Sequence, residues 1–112
     1  MRHSLVSIVA VALAGCSAAL PEPTATHVSR LRANDPSVSL GDLERGRSLY
    51  VARCTGCHTL KEPRRFSAEA WVTALEKMEV EEGVKLEATE ARDIRRYLVA
   101  MSASETRTSQ AR

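Results

Sequence analysis

Cys54-Thr55-Gly56-Cys57-His58 is the segment whose residue types and spacing could do chemistry. Two thiols three positions apart on a helical turn can add to the two vinyl groups of one porphyrin. The next imidazole, that of His58, then points at the iron, and Cys-x-x-Cys-His is the attachment pattern of haem c. Two other chemistries use a cysteine pair. A dithiol redox couple would open a helix after a strand in a βαβ pattern, and no strand pattern precedes Cys54. Half of a zinc site needs further ligands. Past the N-terminal segments, His58 has no companion histidine and no second cysteine pair exists. The spacing therefore leads to one covalent haem c on Cys54 and Cys57, with His58 as an axial ligand.

The other axial position separates an electron carrier from a protein that binds small molecules at its iron. With no spare histidine in the domain, the candidates are the thioethers of Met78 and Met101, since His/Met ligation is a known arrangement that raises the potential. Ser67 reads as a helix N-cap with Glu69 in the first turn, and Trp71, Leu75 and Met78 follow at i, i+4, i+7 on one face. Such a stripe is also what a plain core looks like. Ile94, Tyr97, Leu98 and Met101 repeat at i, i+3, i+4, i+7, and Met101 on that face reads as packing.

The elements that must position these residues are helical. The expected class is all-α, a small fold of three to five helices around one covalently bound haem, with helices near 41–54, 67–79 and 89–103. Thr89 reads as the cap of the last, with Glu90 in its first turn. At 112 residues the chain has room for one domain. Only Tyr50, Phe66, Trp71 and Tyr97 are aromatic, so a dense core is hard to build from side chains alone, and a large flat cofactor would supply the missing apolar mass. A net charge of +2 argues against nucleic acid as a partner.

Residues 1–15 read as an export signal, with Arg2 and His3 before an apolar run from Leu5 to Leu13 that is too short to span a bilayer. Leu13-Ala14-Gly15-Cys16 resembles the lipobox of bacterial lipoproteins. That resemblance implies lipidation of Cys16, anchoring on the periplasmic side of a membrane, and delivery to the outer membrane, since Ser17 follows the cysteine. A cleaved secretory signal is the plainer alternative. Residues 16–39 carry Pro21, Pro23 and Pro36 without apolar periodicity and read as a flexible tether, with His27 a lone linker histidine. A random coil of that length spans roughly 25–30 Å. The domain is then 40–103, and the polar residues 104–112 are a tail.

Gly46-Arg47-Ser48-Leu49-Tyr50-Val51-Ala52-Arg53-Cys54 and the Ile94-to-Met101 stripe resemble the first and last helices of class I, mono-haem cytochromes c. The resemblance implies that these helices cross closely, with Gly46 against the ring of Tyr97. It further implies that a proline after the motif, here Pro63, offers its carbonyl to the axial histidine. Trp71 would bond a haem propionate or pack. The order of motif, Trp and Met is similar to a compact subfamily whose methionine follows a tryptophan closely, which favours Met78 over Met101. The chain from His58 to Met78 is short but can cross a porphyrin face at about 3.3 Å per residue. The implied function is single-electron transfer, as a carrier or a subunit of an oxidoreductase and not an enzyme alone. A haem-based gas sensor without a methionine ligand and a thiol oxidoreductase are the alternatives. Arg45, Arg47, Arg53, Lys61, Arg64 and Arg65 cluster around the motif, which suits a redox partner with an acidic docking surface, although a solvated face reads the same way.

Overall fold

The computed structural model describes residues 20–54 and 60–103. Cys16, Cys57, His58 and the segments 1–15 and 104–112 lie outside them. Helix α1 covers Ala25–Leu31, α2 Leu40–Cys54, α3 Ala68–Val80 and α4 Ala88–Met101, with a 3-10 turn at Pro63–Arg65. No strand occurs among the described residues, and the all-α class and small cytochrome c fold expected from the sequence are what the structure shows.

Each helix start has a local cause. Ser39 and Asp42 form a reciprocal cap at α2: the Ser39 amide donates to Asp42 Oδ2 at 2.9 Å, and the Asp42 amide donates to Ser39 Oγ at 3.2 Å. Ser67 caps α3, its hydroxyl accepting from the Ala70 amide at 3.1 Å. Val80 ends that helix, and Gly83 turns the chain at a φ of 67°, a region that favours glycine. Helix α4 departs from expectation. Its cap position is Glu87, in extended conformation and without a side-chain bond, so Thr89 lies inside the first turn and caps nothing.

The bundle is organised by α2 crossing α4. A Cβ on Gly46 would run into the carbonyl of Asp93 and stop 2.8 Å from Tyr97 Cβ, so only glycine lets the two backbones approach this closely. Leu43, Ile94, Tyr97 and Leu98 are fully buried at this crossing. The close glycine–tyrosine contact implied by the class I resemblance is thus present.

The stretch before α2 differs from the expected tether. From Leu20 onward it lies on the bundle: Val28 and Val38 are buried, the Tyr97 hydroxyl donates to the Pro21 carbonyl at 2.8 Å, and Arg47 donates to the Leu20 carbonyl at 3.1 Å. Arg96 of α4 grips Asp35 at 2.6 and 3.0 Å. Two apolar residues are too few to make a period. Backbone carbonyls and one carboxylate, fixed by groups from distant helices, hold this segment instead. His27 is no loose linker residue either, since its Nδ1 accepts the Thr24 amide at 2.9 Å and completes the cap of α1.

Candidate haem site

Cys54 is the last residue of α2 and opens onto an apolar cleft enclosing about 760 Å³ of empty space, within the usual range of cofactor sites. Trp71, Leu75 and Met78 form one wall from α3, at the spacing read in the sequence. Val84, Leu86 and Leu98 close the other side, and Tyr50 forms the back. Cys54 and Lys61, on either side of residues 55–59, line the same cleft. The attachment cysteine and one thioether sulfur therefore share an apolar space of the right size, and these residues fit a haem.

Met101 sits elsewhere. It is 3% exposed and lines a different depression, with His27 and Arg64, on the far side of α4 from Leu98. Of the two methionines, only Met78 is brought to the side of Cys54.

Two aromatic donors hold the chain that returns from the motif. The Tyr50 hydroxyl donates to the Lys61 carbonyl at 2.8 Å, and the Trp71 indole N–H donates to the Pro63 carbonyl at 2.9 Å. The indole expected near a propionate is thus engaged, and so is the Pro63 carbonyl expected to serve the histidine. Trp71 stands edge-on to Tyr50 and Phe66, with centroids 6.0 and 5.2 Å away. Tyr97 packs beneath Tyr50 at 6.2 Å and does not line the cleft. Burial pushes the Tyr50 and Tyr97 hydroxyls up to about 12, so both remain donors at any physiological pH. The role of Tyr50 was missed in the sequence, where the aromatic before the motif counted only as a helix contact. Its distance of four residues from Cys54 and a turn-like segment after the motif were the available signal.

The thiol of Cys54 is half-buried, and burial raises its pKa above the ordinary thiol value. It also stands at the C-terminal end of its helix. Both features oppose the low-pKa thiolate that dithiol redox catalysis requires.

The basic cluster around the motif is largely neutralised. Arg45 pairs with Asp93 at 2.7 Å and Asp42 at 2.6 Å, Arg53 with Glu90 at 2.9 Å, and Arg64 with Glu62 at 2.9 Å. Arg47 is turned to the Leu20 carbonyl. Lys61 and Arg65 are the members left without an acidic partner among the described residues, and Lys61 is at the cleft.

No curated protein and no solved structure matches the chain. A family model, described as dihaem cytochrome c, matches residues 50–112, which begins at the tyrosine behind the cleft and takes in the attachment motif, α3 and α4. That model describes two haems, where the class I resemblance implied a mono-haem domain, while the sequence contains one Cys-x-x-Cys-His. The match spans more than half of the chain, and with a haem-sized cleft beside Cys54 it establishes that the chain belongs to the dihaem cytochrome c family.

Proposed function

We propose that this chain is a one-electron carrier holding a single haem c on Cys54 and Cys57, with His58 and Met78 as axial ligands. The observation that carries the proposal is that Cys54 and Met78 line one apolar cleft from opposite helices while Met101 does not. A haem held there supplies one reversible electron. The chain's own residues supply the surroundings: Leu75, Leu86 and Leu98 keep water from the cleft, and Tyr50 and Trp71 fix the returning loop through its carbonyls. A ring with both axial positions filled needs no substrate at the metal, so this is a carrier or an electron-transfer subunit and not an enzyme by itself. The count of one haem follows from the cysteines. A second thioether pair would need two more thiols, and Cys16 is the only other one.

We place the protein outside the cytoplasm, anchored on the periplasmic side of a membrane, more readily the outer one, through lipid on Cys16. The N-terminal signal and the lipobox-like segment support that reading. A redox partner with an acidic patch suits Lys61 and Arg65, the basic residues near the motif left unpaired.

An optical spectrum tests the ligation. The oxidised protein should show the weak sulfur-to-iron band, and Met78→Ala should abolish it while Met101→Ala leaves it intact. An unchanged band in Met78→Ala refutes the assignment. Rapid carbon monoxide binding by the reduced wild-type protein would favour the gas sensor instead.

A further inference from the structure

An open groove lies between α3 and α4 and shares Leu75, Glu79 and Leu86 with the haem cleft. On α3 its lining residues are Val72, Leu75, Glu76 and Glu79, at i, i+3, i+4, i+7. On α4 they are Ala88, Ala91, Arg92 and Arg95, at the same spacing. In each row the first two residues are apolar and the last two charged, acidic on α3 and basic on α4. All four charged residues are exposed. Glu76, Glu79 and Arg95 have no hydrogen-bond or ion-pair partner among the described residues, and Arg92 reaches only its neighbour Asp93 at 3.2 Å. The two walls carry opposite charge and do not neutralise each other within the chain.

We propose that this groove is the contact surface between two copies of the chain, which together form a unit of two haems. The inference rests on the haem reading above. A twofold axis lying over the groove, midway between the acidic pair and the basic pair, lays each on its opposite in the second copy. The apolar residues between them then meet apolar residues. This is the self-complementary pattern that an isologous interface requires, and a partner chain of uniform charge would satisfy only one wall. The family supplies an independent reason for a second copy. It is a dihaem family, and one attachment motif per chain reaches two haems only when chains pair. Because Leu75, Glu79 and Leu86 separate groove from cleft, pairing here sets the two haem sites on either side of a shared wall, a place suited to electron passage between them.

The test uses the haem-loaded full chain, sedimented over a concentration series at low and high salt. Wild type should form a dimer that weakens with salt, because the paired walls are solvent-accessible charges. Glu76→Lys and Arg95→Glu, neither of which lines the haem cleft, should each raise the dissociation constant about tenfold or more, since every reversal acts twice across a twofold contact. The double variant E76K/R95E should restore most of the loss. A monomer at every concentration, a dimer indifferent to both reversals, or a double variant weaker than either single overturns the pairing. The haem-to-chain ratio of the same samples is a separate reading. A value near zero refutes the haem assignment, whereas full haem on a monomer refutes the pairing alone.

Discussion

Replacing Gly46 with alanine tests the helix crossing that builds the cleft. The new Cβ would stand 2.7 Å from the Asp93 carbonyl carbon and 2.8 Å from Tyr97 Cβ, with the carbonyl oxygen closer still. Ordinary carbon contacts lie at about 3.5–4.0 Å, so α4 must retreat by roughly 1 Å. The obstacle is backbone, and the Arg45–Asp93 pair at 2.7 Å and the buried Tyr97 resist the movement. Overpacking of this kind costs about 3 kcal/mol, at the upper end of the usual range. Alanine recovers about 1 kcal/mol through its better helix propensity. The net loss is about 2 kcal/mol, or a fall in Tm of roughly 8–16 °C for a domain of this size. Gly41→Ala is the control. Its Cβ would meet only Ser39 Oγ at an ordinary 3.8 Å, so propensity acts alone and stability should hold or rise slightly. Thermal unfolding followed by far-UV circular dichroism measures both. A Gly46→Ala protein as stable as Gly41→Ala refutes the close crossing.

Tyr50→Phe removes the donor to the Lys61 carbonyl and should cost about 1 kcal/mol in denaturant unfolding, with no loss of ring packing; an unchanged midpoint contradicts the role given to that hydroxyl. Val28→Ala removes two buried methyl groups and should cost about 1.6 kcal/mol, with faster proteolysis near α1, whereas equal cleavage rates would restore the tether picture. Acid should loosen α1. Burial, and secondarily Arg30, holds His27 below its ordinary pKa of 6.5, so the unfolded chain takes up this proton at higher pH than the folded one. The stability tied to the neutral ring is whole above that ordinary value and is lost as pH falls through the folded pKa. Amide exchange in α1 should therefore quicken between pH 7.5 and 5 at matched intrinsic rates, and His27→Ala should flatten the change. Identical protection at both pH values in wild type counts against it.

The sequence by itself determined the chemistry and the class. Thiol spacing with an adjoining imidazole is a covalent signature written within five residues, and the stripes on α3 and α4 have the helical period because each must bury one face. Ser67 as a cap and Gly46 against Tyr97 were legible for the same reason, since local hydrogen bonding and a missing Cβ act through residue type alone. Only the tertiary structure chose Met78 over Met101, because two thioethers on helical stripes differ solely in which side of α4 faces the cleft. It alone attached residues 20–39 to the bundle, through hydrogen bonds to carbonyls that no side-chain pattern encodes. Charge followed the same division. The arginines around the motif were visible as a cluster, but their carboxylate partners come from helices far along the chain, and folding turned an apparent basic rim into mostly paired surface.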